Sequence, residues 1–208
     1  MARGRLITIE GIDGAGKTTL AAGLLDVLSA RGIAVERLRE PGGAALSERL
    51  REVVKDPSLS VDPRAEALVY AAARAQLVHE RLVPLLDAGT WVLLDRFVDS
   101  SLAYQGGGRG LGVEAIAELN RFATAGLVPD RTLYLRVDPA LGRERQGVRA
   151  QAADRLEQED DTFFGAVALV YEDLAALDPD RIRAIDAAQG PDTVLADAIG
   201  AISDLLAR

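Results

Sequence analysis

Residues Gly11, Gly16, Lys17 and Thr18 stand in the spacing Gly-x-x-x-x-Gly-Lys-Thr. Such a run can turn successive backbone N–H groups inward around phosphate oxygens. Gly11, Ile12, Asp13, Gly14, Ala15, Gly16, Lys17, Thr18 and Thr19 would form the cradle. Lys17 would bridge the terminal phosphates and Thr18 would ligate Mg²⁺. A helix beginning at the lysine would add its partial positive charge. The pattern implies a nucleoside triphosphate site.

A phosphate cradle does not say where the phosphate goes. Four other segments carry that information. Arg39-Glu40-Pro41-Gly42-Gly43 stands where a second strand would end, the position at which open α/β sheets bind ligands. Tyr70 and Arg74, four residues apart, would share one helix face. Asp95-Arg96-Phe97-Val98-Asp99-Ser100-Ser101-Leu102-Ala103-Tyr104-Gln105 begins where a third strand would end. Arg143, Arg145, Arg149 and Asp154-Arg155-x-Glu157 make a late arginine-rich stretch.

These residues need a scaffold, and the apolar pattern supplies one. Short, nearly continuous apolar runs at Arg5–Glu10, Ala34–Leu38, Trp91–Asp95, Arg131–Val137 and Arg181–Asp186 read as strands of a parallel sheet buried on both faces. Helical patterns fall between them, near 17–30, 44–55, 64–87, 112–126, 139–149, 160–177 and 191–207. Within 64–87, Leu68, Ala72, Ala75, Val78, Leu82 and Leu86 recur every three or four residues, and a second row, Ala65, Val69, Ala73 and Leu77, lies beside them. Pro84 should kink that helix or start a new turn. Gly106-Gly107-Gly108 reads as a passive connection, His79 as a surface residue and Trp91 as core. The fold class expected is α/β: a three-layer α/β/α sandwich with a central parallel five-stranded sheet, in one domain over 1–208.

Composition narrows the classes further. The 208 residues can bury a sizeable core. A net charge of −8 argues against a nucleic acid polymer as partner, because a phosphate backbone demands a basic stripe. No uncharged apolar run approaches a membrane span. The N-terminus passes straight into the first strand with no room for a signal peptide, and there are no cysteines, so a cytoplasmic location is expected. Lys17 and Lys55 are the only lysines.

The Glu-Gly-x-Asp-Gly-Ala-Gly-Lys-Thr-Thr loop, Arg-Glu-Pro-Gly-Gly, the Asp-Arg-x-x-x-Ser-x-x-Ala-Tyr-Gln-Gly-Gly-Gly-Arg run and the late Asp-Arg-x-Glu resemble the thymidylate kinase family, with the blocks in family order. The resemblance implies a P-loop nucleoside monophosphate kinase fold. It further implies ATP-dependent phosphorylation of dTMP to dTDP for dTTP biosynthesis, with Mg²⁺, in a cytoplasmic homodimer. Carried over by position, it makes Tyr70 the platform stacking on thymine, where the family has phenylalanine, and Arg74 the donor to the thymine carbonyl. Arg96 would grip the acceptor phosphate, with Arg51 and Arg39 as further clamps. Asp13 would reach the sugar hydroxyl or the metal waters. Ser101 and Gln105 fall near the base, at a position where many relatives carry Thr or Asn instead of Ser101, and Tyr104 lies beside C2′. The phosphate loop holds no arginine, so the resemblance points to the arrangement in which a mobile lid, approximately 142–156, supplies one: Arg149 first, then Arg145, then Arg143.

Charge dictates the expected mechanism. A nucleotide phosphate with its second pKa near ~6 is mostly dianionic at neutral pH, so no side-chain base is needed. The obstacle is holding two anions in line, which Lys17, Mg²⁺, Arg96 and a lid arginine would offset. Asp95 is the natural metal-water acceptor, and Glu10 could share that role. Two rivals stand beside this reading. One is a kinase for another nucleotide or nucleoside, where Glu40 or Asp99 could act as base. The other is a nucleotide switch with no small acceptor.

Overall fold

The computed structural model describes residues 3–147 and 154–206. Strands β1 (Leu6–Glu10), β2 (Val35–Arg39), β3 (Trp91–Asp95), β4 (Arg131–Arg136) and β5 (Ile182–Asp186) form one sheet in the order β2-β3-β1-β4-β5. Every pairing is parallel. The five-stranded parallel sheet read from sequence is present, with strand limits within one residue of expectation.

Alternate strand residues feed two cores. Leu6, Val92 and Leu94 pack with Leu77, Val78, Leu82 and Leu86. Ile7, Ile9, Leu93, Leu133 and Leu135 join Leu20, Leu24, Leu28, Val194, Ala198 and Ile202. Each large aliphatic side chain buried this way contributes about 1.5–3 kcal/mol. Helices α1 (Lys17–Ala30), α2 (Ala45–Lys55), α3 (Pro63–Leu77), α4 (Val83–Asp87), α5 (Val98–Ser101), α6 (Val113–Ala123), α7 (Pro139–Gly147), α8 (Asp161–Leu177), α9 (Pro191–Ala201) and α10 (Ser203–Leu206) complete the sandwich. None among the described residues is long and apolar enough to cross a membrane.

Three elements differ from the sequence reading. The single helix expected over 64–87 is α3, a π-helical turn at Val78–Leu82, and α4. The wide turn directly precedes Pro84, whose ring would clash with a carbonyl one turn back in a regular α-helix. Its apolar row also divides: Val78, Leu82 and Leu86 are buried, while Leu68 is 57% exposed and Ala72 lies on the surface. The second difference is at 98–108, where α5 runs into a π-helix at Leu102–Gly108. A Cβ on Gly108 would stand 2.5 Å from the Phe163 ring, and one on Gly107 would stand 2.6 Å from Val170 Cγ2. Gly107 and Gly108 are therefore a close-packed seat for α8, and Gly106 packs on Val113 of α6, so the triplet is not a passive connection. The helix expected over 191–207 breaks at Ile202, between α9 and α10. His79 is exposed as expected, whereas Trp91 is only half-buried, packed against the edge of the core.

Capping fits the chemistry of the chain. Asp62 accepts from the backbone N–H groups of Arg64 and Ala65, with Pro63 opening α3. Asp160 accepts from Phe163 N at 2.9 Å at the start of α8.

Candidate active site

The phosphate loop joins the end of β1 to α1. Gly11, Gly14 and Gly16 adopt positive φ values of 134°, 83° and 94°, which side chains of L-residues resist. At Gly14 there is also no room: a Cβ would lie 2.0 Å from the Gly142 carbonyl oxygen. The first turns of α7 therefore sit directly on the loop. Lys17 is buried and donates to the carbonyls of Gly11 at 3.1 Å and Ile12 at 2.8 Å. Burial, together with the nearby Arg96 charge, lowers its pKa to about 8.

Arg96 is the hub of the centre. It has a left-handed backbone, φ 69°, which costs roughly 1–2 kcal/mol for a non-glycine residue and must be held by its surroundings. Arg96 N donates to Ile9 O at 3.0 Å, and Phe97 N donates to Glu10 Oε1 at 2.7 Å. Its guanidinium donates to Asp13 Oδ1 at 2.6 Å, Gly11 O at 3.0 Å, Ser100 Oγ at 3.1 Å and the Tyr104 phenol at 3.2 Å. Tyr104 in turn donates to Asp13 Oδ2 at 3.2 Å. Burial alone would raise the Asp13 pKa, but the charges of Arg96 and Lys17 outweigh it and hold the carboxyl well below the usual range.

Beyond Arg96 the cleft continues past Arg74, Ser101 and Gln105. Arg74 is only 2% exposed and its donors are distributed over four partners: Glu40, Ser101 Oγ at 2.9 Å, Phe97 O at 2.9 Å and Asn120. Its ion pair with Glu40 spans 2.6 Å. Burial pushes the Glu40 carboxyl up to about 7, with Arg74 offsetting only part of that shift. Gln105 Nε2 donates to Glu66 Oε1 at 2.9 Å. Tyr70, half-buried, stands one turn before Arg74 on α3, and burial raises its phenol pKa. At the mouth, Arg51 donates to Pro41 O at 2.9 Å and Arg39 to the same carbonyl at 3.1 Å.

These groups line one cavity of about 310 Å³, from Gly14, Lys17 and Thr18 through Asp95 and Arg96 to Tyr70, Arg74, Ser101, Tyr104 and Gln105. Arg39 and Arg51 border it as well. Gly11, Ile12 and Ala15 of the loop are buried and Thr19 is exposed, and none of the four lines the cavity. Thr18 Oγ1 donates to Asp95 Oδ2 at 3.3 Å. Among the described residues no cluster of three or more His, Cys, Asp and Glu is gathered around a metal position. A hydroxyl beside a single carboxylate suits a hard cation that takes its other ligands from phosphate oxygens and water.

Several expectations need correction. Glu10 cannot share the metal role: it is 0% exposed, both its oxygens are engaged by Phe97 N, Ser100 and Tyr171, and it lies off the cavity wall. Its pKa is raised by burial and by the Asp99 charge. Arg145 donates to the carbonyls of Ala187 and Ala188, and Arg143 pairs with Asp161, so neither borders the cavity. Arg149 lies outside the described residues. Asp99, a rival base, is paired with Arg181 at 2.8 Å and turned away from the cavity, and Glu40 is committed to Arg74.

Of the residues that border or brace the cavity, the sequence reading placed Asp154 and Glu157 in the late motif without a role of their own, and gave Lys55 and Glu66 none. Lys55, Asp154 and Glu157 line it, and Lys55 Nζ lies 2.5 Å from Asp154 Oδ2. The only signal for Lys55 was its rarity in a chain that prefers arginine. Glu66, fully buried beneath Gln105, had no signal beyond being an acidic residue in the first turn of a helix.

Comparison with known proteins places the chain in a family. Residues 9–198 match the family model described as Thymidylate kinase. The chain is 48% identical over 204 residues to a thymidylate kinase of Deinococcus radiodurans, covering 98% of both chains. It is 47% identical over 206 residues to one from Halorhodospira halophila, covering 98% of this chain and 96% of the relative. It is also 45% identical over 208 residues to one from Halalkalibacterium halodurans, covering 99% of each.

Proposed function

The chain belongs to the thymidylate kinase family, and from that premise we propose that the residues around the cavity divide among donor, acceptor and base in the transfer of the γ-phosphoryl group of ATP to dTMP. The products are dTDP and ADP, a step toward dTTP. The observation that carries this division is the continuity of one cavity from Lys17 and Thr18, past Arg96, to Tyr70, Arg74, Ser101 and Gln105.

At the donor end, the loop amides and Lys17 hold the triphosphate, and Thr18 and Asp95 are the residues that would hold Mg²⁺, which would neutralise phosphate charge when bound. At the acceptor end, Arg96, with Arg51 and Arg39 at the mouth, binds the monophosphate. Arg96 is already aimed by Asp13 and Tyr104, so little reorganisation is required when charge develops on the transferring group. The acceptor phosphate is its own nucleophile. No base is assigned, in keeping with the prior engagement of Glu40 and Asp99. Arg74 is the proposed donor to the thymine carbonyl, which would disfavour the amino group of cytosine. Because its nitrogens are held by Glu40, Ser101, Phe97 O and Asn120, that contact requires Ser101 or Asn120 to share or give up an Nη1 hydrogen bond. Tyr70 stacks on the ring and Tyr104 lies by C2′.

Arg149 retains the role of donor-side arginine in a lid spanning approximately 142–156, since Arg145 and Arg143 are bound elsewhere. The exposed stretch of α3 with Ala65, Leu68 and Ala72 suits burial against a second copy in a homodimer, and a cytoplasmic location fits a chain without cysteine.

The test is ADP release from ATP·Mg²⁺ with dTMP, dUMP, dCMP, dGMP or thymidine supplied one at a time. Release greatest with dTMP is expected. Release with thymidine would reassign the acceptor, and release indifferent to acceptor would leave a nucleotide switch.

A further inference from the structure

Glu66 is 0% exposed, and a buried carboxylate of this kind is tolerated only when paired. Three side chains from other parts of the chain meet it. Gln105 Nε2 donates to Oε1 at 2.9 Å, Arg109 Nε lies 3.2 Å from each oxygen, and Arg155 Nη2 lies 2.6 Å from Oε2. Gln105 lines the base end of the cavity, whereas Arg155 belongs to the late acidic and basic stretch whose neighbours Asp154, Leu156 and Glu157 line it from the other side. Glu66 thus touches residues of both walls, and Tyr70 follows it by one helical turn on α3.

Arg155 is also seated where an arginine, and not a lysine, fits. Its Nε donates to Val54 O at 3.1 Å, at the C-terminal end of α2 where the last carbonyls lack helical partners. The same guanidinium then reaches Glu66 with Nη2. A lysine has one nitrogen and cannot occupy both positions. Next to it, Lys55 holds Asp154, so residues 154 and 155 are fastened to the end of α2 and the start of α3 together.

We propose that Arg155 is a positioning residue for the acceptor nucleotide: by docking on Glu66 and Val54 O it sets Glu66 under Gln105 and Tyr70, and so couples the wall formed by residues 154–157 to the base pocket. This rests on the reading of that pocket as the dTMP site. Arg155 touches no reacting group, so its loss should act on acceptor binding and leave the triphosphate cradle alone.

The experiment is steady-state kinetics on wild type, Arg155→Ala, Arg155→Lys, Glu66→Gln and the Arg155→Ala/Glu66→Gln double variant, with dTMP and ATP varied separately and thermal unfolding recorded for each. Arg155→Ala should raise KM for dTMP by about 5- to 150-fold, the usual range of a coupling between sites, with KM for ATP within about twofold. Arg155→Lys should recover part of that loss. In the Glu66→Gln background the effect of Arg155→Ala should largely disappear, because both changes break one linkage. Equal rises in both KM values, a change in kcat alone, or additive effects in the double variant would overturn the proposal. Arg155→Lys carries the same test if the alanine variant does not fold. Wild type that fails to use dTMP refutes the pocket assignment itself, whereas wild type active on dTMP with no KM split refutes only the role of Arg155.

Discussion

The Arg96 guanidinium lies 2.6 Å from the Asp13 carboxylate, so an arginine at the end of the third strand is pinned to the phosphate loop that follows the first. The residues proposed for donor and acceptor are therefore held in one frame before any ligand arrives. Arg96→Ala should lower kcat by roughly 10²–10³, the scale of losing one preorganised charge-stabilising donor. Single-turnover measurement with saturating dTMP checks this, and a variant retaining more than a tenth of wild-type turnover contradicts it.

Tyr104 bonds to both members of that pair. Tyr104→Phe removes the phenol but keeps the ring and should do two things. Turnover should fall about tenfold, as for a hydrogen bond to a charged group worth ~1.5 kcal/mol. Discrimination against the ribonucleotide monophosphate should also relax. The ratio of kcat/KM for the deoxy and ribo acceptors measures the second effect, and an unchanged ratio assigns Tyr104 to Arg96 alone.

Lys17, lowered to about 8 by burial and Arg96, should couple ATP binding to proton uptake. Between about 8 and the ordinary 10.5 the free protein holds this amine largely neutral, and an arriving triphosphate favours the charged form. Binding at pH 9 should then take up close to one proton, and binding at pH 6.5 close to none. Calorimetry in buffers of different ionisation enthalpy reads the difference. Lys17→Ala should abolish transfer and the uptake together while dTMP still binds.

Gly108→Ala tests the seat of α8. With the Phe163 ring 2.5 Å from the added carbon, overpacking should cost about 1–3 kcal/mol. In a chain of this size that lowers the melting temperature by roughly 2–10 °C. Gly147→Ala, where a Cβ meets nothing within 4 Å, serves as the control.

Arg149→Ala should lower kcat much more than it raises KM for dTMP. Arg145→Ala, whose guanidinium is spent on the Ala187 and Ala188 carbonyls, should leave kcat within several-fold of wild type. The reverse ranking, from the same progress curves, would move the donor-side role to Arg145.

The sheet, its five strands and the phosphate loop were legible in the linear chain because each is a local signal. A buried parallel strand is a short apolar run, and a cradle of inward amides needs glycines and a lysine at fixed spacing. The pairs that aim the site are not local. Asp13 and Arg96 are 83 residues apart, Glu40 and Arg74 34, and Glu10 and Tyr171 161. Which carboxylate faces the cavity and which is buried behind it depends on strand order and helix packing, and nothing near Glu10 in the chain distinguishes it from Asp95. The π-helical turns were hidden for the same reason. Gly106–Gly108 looks like a linker until Phe163 and Val170 of α8 fill the space at Gly108 and Gly107, and Val113 of α6 that at Gly106. The sequence by itself determined the chemistry available to this protein, since residue types and short-range periodicity decide what can cradle a phosphate and what can form a sheet. Only the tertiary structure decided which of those charges meet, because a charge in low dielectric is governed by its nearest partner, and the partners here arrive from distant parts of the chain.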